Sequence, residues 1–216
     1  RDANAWLEFR RVLFRSFAIL KKYAPQGATI LDVGVVNPFS ELMQAEGYTV
    51  RNTQGEDLDF EADCLQSLPA DFATALEILE HLVNPLAVLQ QLPTDKLLVT
   101  VPLRLWFASA YRNTNDPRDC HYHEFEDWQL DMLLEKAGWH IVYREKWTHP
   151  VGKWGIRQLL RLFTPRYYAV YAVRGELLDN LNWKYSYEKK YNRSHYLYSP
   201  NTIIFLSKYY LKIPCR

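Results

Sequence analysis

The chain has 216 residues, 48% of them hydrophobic and 24% charged, with a formal net charge of +1, which is material for one sizeable core and one domain with appendages rather than two domains. No apolar run approaches the roughly 20 residues of a membrane-spanning helix, and three cysteines, Cys64, Cys120 and Cys215, form an odd set at no metal-like spacing, which reads as free thiols in a reducing, cytoplasmic compartment rather than a disulfide framework. The near-neutral total hides a division: residues 150–216 hold 12 Lys and Arg against 3 Asp and Glu, leaving 14 against 22 before them, a basic end that suits nucleic acid, anionic lipid, a phosphorylated small molecule or plain solvent.

The first segment is set apart. "LEFRRVLFRS", Leu7 to Ser16, resembles the translation of a sequencing-library adapter, so residues 1–16 are read as a non-native leader. After it, "FAILKKYAP" places Phe17, Ile19, Leu20 and Tyr23 near helical spacing and stops at Pro25, which predicts a helix docked on a sheet edge. "ATILDVG" is a near-continuous apolar run ending in Gly34, as a central parallel strand buried on both faces requires. Asn37 then reads as a helix N-cap with Pro38 at the first helical position, Phe39, Leu42 and Met43 inward and Gly47 as the stop.

"YTVRNT" predicts a second strand, the acidic "GEDLDFEADCLQSLP" a loop, "FATALEIL" a third strand, "NPLAVLQQL" a short helix opened by Pro85, and "KLLVTVP" a strand ended by Pro102. "FEDWQLDMLLEKAGW" carries Phe125, Trp128, Leu130, Met132, Leu133 and Leu134 on a broad apolar face with Gly138 as its stop, and "HIVYREKW" alternates as a strand. "KWGIRQLLRLF" reads as a basic amphipathic helix with Trp154, Ile156, Leu159, Leu160 and Phe163 inward, and "RYYAVYAV" as a strand that hairpins back on the previous one. Residues 176–216 read as a C-terminal extension, in which Trp183 is a candidate position for a natural stop and "NTIIFLSK" a candidate final strand. Strands alternating with helices imply a doubly wound parallel sheet. No dedicated nucleic-acid motif accompanies the basic end.

Taken in order, "ILDVG" followed by a helix, "ALEILEHLVNPLAVL", "LLVTVP" and "HYHEFEDWQLDMLLEKAGW" resemble the class I S-adenosylmethionine-dependent methyltransferases, particularly the small-molecule group whose fourth strand ends in E-x-L-E-H-L; the resemblance spans residues 17–175. It implies an α/β Rossmann-like fold, a mostly parallel seven-stranded sheet with its last strand antiparallel. The cofactor, S-adenosylmethionine, would lie across the carboxyl ends of the family's first, second and fourth strands, where open α/β sheets place ligands.

The family's loop reads D-x-G-x-G-x-G, whereas this chain has Asp32, Val33, Gly34, Val35, Val36, Asn37 and Pro38. Gly34 can still turn the chain, but β-branched Val35 and Val36 resist positive φ. A pyrophosphate needs bare backbone, which argues against NAD or FAD. S-adenosylmethionine carries no phosphate, and its amino-acid end needs only a few hydrogen bonds, from the loop backbone and from Asp32 and Asn37. By the same resemblance a carboxylate after the second strand holds the ribose: the spacing lands on Gln54, with Glu56 and Asp57 just beyond, and Asp57 is favoured. Asp63 and Cys64 match the stretch that meets the adenine edge, and Glu77, Glu80 and His81 face the point of methyl delivery.

His81, His121 and His123 are candidate bases for removing a proton from the acceptor. A metal reading of "CHYHEF", with Cys120, His121, His123 and Glu124, is set aside because ligands crowded on one short segment seldom close a tetrahedral site. Trp106, Tyr111 and Arg112, with Trp154, Arg157 and Arg161, suit a small-molecule acceptor that is anionic or lipid-like. The competing readings are a methyltransferase-fold binding module without catalysis, motivated by Val35 and Val36, and a nucleic-acid-binding protein using the basic end.

Overall fold

A computed structural model describes residues 3–116, 119–148 and 155–175. The chain divides into two compact units, and the first, Arg1–Arg174, holds every helix and strand described below. The elements run α1 (Ala3–Tyr23), β1 (Thr29–Asp32), α2 (Pro38–Ala45), β2 (Thr49–Asn52), β3 (Phe72–Leu76), α3 (Pro85–Gln91), β4 (Lys96–Pro102), α4 (Asp127–Lys136), β5 (His140–Thr148), α5 (Ile156–Phe163) and β6 (Pro165–Val173), with 3-10 turns at Ala62–Ser67 and Leu79–His81. Trp154 and the whole extension, "NTIIFLSK" and Trp183 included, lie outside the described residues.

The strands form one six-stranded sheet in the order β2-β1-β3-β4-β6-β5. β2, β1, β3 and β4 are parallel, and β6 runs antiparallel to both β4 and β5. This is the doubly wound, mostly parallel α/β fold expected, with six strands among the described residues where the resemblance implies seven. β6 pairs back on β5 as the sequence suggests.

Period-two alternation puts two cores on the two faces. Leu31, Ala73, Leu97, Val99, Val101, Tyr168 and Val170 face one way, under α3 and α4. Ile30, Phe72, Leu98, Ala169 and Tyr171 face the other, under Phe17, Ile19 and Leu20 of α1 and Phe39 and Met43 of α2. Trp139 is fully buried and its indole N–H donates to the Leu89 carbonyl at 3.0 Å, so the largest side chain of the first core leaves no polar atom bare.

Three packing expectations are corrected. α1 does not dock on a sheet edge: it crosses the middle of the sheet, against β4 and β6, because Val12, Leu13 and Ser16 extend its buried stripe toward the N-terminus. In α4 only Leu130 and Leu134 are buried, while Trp128 and Met132 are 53% and 58% exposed. Residues four apart share one helix face, and Trp128 and Met132 fall on the other. In α5 no residue is buried, and Ile156 and Phe163 are 81% and 78% exposed. The helix lies against β6 and the edge strand β5 at one end of the sheet.

Candidate active site

From β1 the chain crosses to β2 on one side and returns to β3 on the other. The loops after β1 and β3 therefore diverge and open a crevice at the carboxyl edge of the sheet. Asp32 ends β1 and is 2% exposed. Its carboxylate accepts from Ser40 Oγ at 2.6 Å, Thr74 Oγ1 at 2.6 Å and Asn37 Nδ2 at 2.9 Å, with Asn52 Nδ2 at 3.4 Å. Burial raises its pKa, against the four hydrogen bonds, which pull it down. Asn37 is the N-cap of α2: its Oδ1 accepts from the backbone N–H of Phe39 and Ser40, and Ser40 Oγ accepts from the Asn37 N–H. Asp32 and Asn37 thus hold one another and the turn between them.

Gly34, at φ +115, is where the path requires glycine: a Cβ there would stand 3.4 Å from Ile78 Cδ1 in a backbone conformation other residues avoid. Its N–H donates to Thr53 Oγ1 at 3.0 Å and its carbonyl accepts from Asn52 Nδ2 at 3.1 Å. Val35 and Val36 are 57% and 61% exposed. Neither is packed into the turn, although Val35 Cγ1 leans to within 3.6 Å of where a Cβ on Gly55 would lie.

Across from this turn lies the acidic loop after β2. Glu56 accepts from the Gln54 N–H at 2.6 Å. Asp57 is exposed and braces its own turn, its Oδ1 accepting from the Asp59 N–H at 3.2 Å and its carbonyl from Phe60 and Glu61. Asp63 and Cys64 open the following 3-10 turn. Burial pushes the Cys64 thiol pKa up, and Glu56, Asp63 and Glu61 add to that shift. Asp59, which the sequence reading passed over, accepts from the N–H groups of Val83 and Asn84 at 2.9 and 2.7 Å and so ties this loop to the start of α3.

Beyond β3 stand the acidic and histidine residues. Glu77 is the one described residue other than glycine at positive φ, +56, a strained conformation of the kind found at functional sites. Its Oε1 accepts from Thr100 Oγ1 of β4 at 2.9 Å. Burial pushes the Glu77 pKa up to about 7, with the Thr100 hydrogen bond and the charge of Arg166 opposing. Glu80 is 1% exposed and is held well above the usual carboxylate range by burial first and by Glu77 second. The Glu80 carbonyl accepts from the N–H groups of Tyr122 and His123 at 2.8 and 3.2 Å, which pins the segment before α4 onto the turn after β3.

That pinning brings two of the three candidate bases together. The His81 and His121 rings meet edge to face with centroids 4.9 Å apart. His81 Nδ1 lies 3.1 Å from the Cys120 carbonyl and His121 Nδ1 lies 3.0 Å from Glu124 Oε1. Both partners only accept, so Nδ1 carries the proton and Nε2 keeps the lone pair in the neutral rings. Burial pulls the His121 pKa down, with the Glu124 hydrogen bond opposing. His123 turns away, its Nε2 lying 3.3 Å from the Val83 carbonyl and its ring tilted over Phe125.

Tyr111 stands beside His121. Its ring lies 5.0 Å from that of His121, its N–H donates to Glu124 Oε1 at 3.1 Å and its hydroxyl donates to Asp119 at 2.9 Å. Arg112 is exposed and bridges to Cys120, and Trp106 is 70% exposed. Arg157 and Arg161 sit on α5, which joins β5 to β6 at the same edge of the sheet. Besides Asp59, the supporting residues the sequence reading missed include Ser40, Asn52, Thr74, Thr100 and Arg166. Thr74 and Thr100 carried a legible signal, since each is a hydroxyl inside an otherwise apolar buried strand.

The strand order, the antiparallel β6 and the crevice at the switch point define the fold of the class I S-adenosylmethionine-dependent methyltransferases, here with a glycine-poor loop. Solved structures agree on the fold. The chain superposes on 1,6-didemethyltoxoflavin-N1-methyltransferase of Burkholderia thailandensis, solved with 1,6-didemethyltoxoflavin and S-adenosylhomocysteine, with a TM-score of 0.52 at 18% identity over 76% of this chain and 79% of that one. It superposes on an S-adenosylmethionine-dependent methyltransferase of Mesorhizobium loti with a TM-score of 0.51 at 13% identity over 74% and 97%. No family model and no curated protein matches the sequence.

Proposed function

We propose that the chain is a methyltransferase that uses S-adenosylmethionine to methylate a small molecule in the cytoplasm. The observation that carries the reading is the persistence of the turn: Val35 and Val36 stay 57% and 61% exposed in a loop whose shape is fixed by Gly34 and the Asp32–Asn37 bond. The bend survives the loss of two glycines because the remaining one takes the strained position.

When bound, the cofactor supplies a methyl group on a positively charged sulfur. Its amino-acid end would meet the Val35–Val36 stretch, with Asp32 and Asn37 setting the path of that backbone. Asp57, Asp63 and Cys64 would border the nucleoside, and Glu77 would stand at the sulfur end. His81 and His121 present Nε2 lone pairs for the acceptor's proton, with Tyr111 as a wall beside His121; His123 contributes by holding the Val83 turn. Trp106, Arg112, Arg157 and Arg161, with Trp154 beyond the described residues, would favour an anionic or lipid-like acceptor.

A second reading, a methyltransferase-fold binding module without catalysis, is favoured by one observation: Asp32 and Asn37 spend their side-chain groups inside the loop. The two readings separate in an assay for S-adenosylhomocysteine formation against a panel of small hydroxy, amino and carboxylic acids. The enzyme forms S-adenosylhomocysteine in step with a methylated product. A module binds the cofactor and turns over with none of the panel.

A further inference from the structure

We infer that Glu80, His81 and His121 form a site for a divalent transition-metal ion. One donor atom from each lies within 4.8 Å of the others, and this is the His/Cys/Asp/Glu cluster of that kind among the described residues. The ligands come from two segments: Glu80 and His81 from the turn after β3, His121 from the stretch before α4. The crowding that argued against a site within "CHYHEF" alone does not apply, since Cys120 and His123 are outside the cluster.

Three features point to a cation rather than a chance meeting of polar groups. First, Glu80 is 1% exposed and its Oε2 has no hydrogen-bond partner. A bare buried carboxylate oxygen is costly. Protonating it would only replace a missing donor by a missing acceptor, whereas a cation satisfies it. Second, both rings have Nδ1 tied to an acceptor, the Cys120 carbonyl for His81 and the Glu124 carboxylate for His121, which leaves Nε2 as the donor nitrogen. A ligating histidine is usually oriented in this way, by a carbonyl or carboxylate on its other nitrogen. Third, His81 Nε2 already lies 3.9 Å from Oε1, the other oxygen of the Glu80 carboxylate. Bonds of about 2.1 Å in tetrahedral geometry put donors roughly 3.4 Å apart, a closure of about 0.5 Å for this pair and of no more than about 1.4 Å for any pair in the cluster, which side-chain rotation can supply.

Arg166 brings one positive charge into this region, while Glu77, Glu80 and Glu124 bring three carboxyl groups. Two imidazoles and one carboxylate suit Zn2+ or a first-row neighbour rather than Mg2+ or Ca2+. Three protein ligands leave a position open for water or for an oxygen of a bound molecule. A cation would occupy the same Nε2 lone pairs that the methyl-transfer reading gives to proton removal, so the two uses exclude each other at those rings. The site stands on its own geometry and does not require S-adenosylmethionine to bind.

The test uses the full chain, stripped with EDTA and dialysed, titrated with Zn2+ by calorimetry and with Co2+ by visible absorption. The expected result is one Zn2+ per chain and saturable Co2+ d–d bands. His81→Asn, His121→Asn and Glu124→Gln should each weaken binding by about 10-fold or more, with His140→Asn, an exposed histidine on β5, unchanged. Circular dichroism checks the fold of each variant, and Glu124→Gln, which alters no ligand, decides the matter if the histidine variants unfold. Absence of saturable binding below about 100 µM, far weaker than protein zinc sites, would overturn the site. So would full affinity in His121→Asn, which would mark an adventitious ion only. A separate titration with S-adenosylhomocysteine keeps failure of the cofactor reading distinct from failure of this one.

Discussion

Asn37 Nδ2 donates to Asp32 Oδ2 at 2.9 Å across the turn that joins β1 to α2. The end of a buried strand and the cap of the following helix are thereby locked to each other, and Ser40, Asn52 and Thr74 close the network around the same carboxylate.

Asp32→Asn therefore cannot be a quiet isostere. The amide can keep the bond from Thr74, but its NH2 must then face Asn37 Nδ2 and Asn52 Nδ2, both donors. Charge-assisted bonds lost in a buried site suggest a loss of about 2–3 kcal/mol, read as a lower urea midpoint at unchanged slope. A loss well under 1 kcal/mol would mean the network does not hold the turn.

Val35→Gly/Val36→Gly tests whether the valines obstruct the crevice. Both are exposed and add little packing, so the double variant should lose about 1–2 kcal/mol of stability, through greater freedom of the unfolded chain, and under the proposed cofactor reading S-adenosylhomocysteine affinity should stay within about threefold of the parent. A tenfold tightening would show that the side chains stand where the cofactor should.

The buried Glu77 gives a pH dependence. Its carboxyl titrates at about 7 in the folded chain against 4.5 for an ordinary glutamate. The folded state binds this proton more tightly, so the contribution is fully present below about pH 4.5, shrinks as pH rises through the interval and is gone above about 7. Relative to Glu77→Gln, in EDTA, the parent should gain about 2–3 kcal/mol of stability between pH 8 and pH 5. Parallel stability curves for the two proteins would remove the shift.

Much of the fold was legible in the sequence because its signals are local. Asn37 and Pro38 open α2, Gly138 follows α4 with φ +87, and the strand runs with their proline ends set six strands in order. What failed was the assignment of the faces or docking positions of α1, α4 and α5. Ile156 and Phe163 look inward by period alone, but periodicity says that a face is apolar and not that anything covers it. At the site, residue types were legible and partnerships were not. Nothing local in "LEH" or "HYHEF" says that the Glu80 carbonyl captures Tyr122 and His123 and so sets His81 against His121. Asp32 and Asn37 stand out in the sequence as candidate cofactor contacts, but one sequence cannot show that Ser40, Asn52 and Thr74 converge on the same Asp32 carboxylate.

The most direct measurement is a calorimetric titration of the purified full chain with S-adenosylhomocysteine. A bend held by Gly34 that still accepts the phosphate-free cofactor predicts saturable one-to-one binding, with a dissociation constant of about 100 µM or tighter, near −5.5 kcal/mol or better. No heat of binding at millimolar ligand, with the fold intact by circular dichroism, would contradict the account and leave a methyltransferase scaffold without its donor.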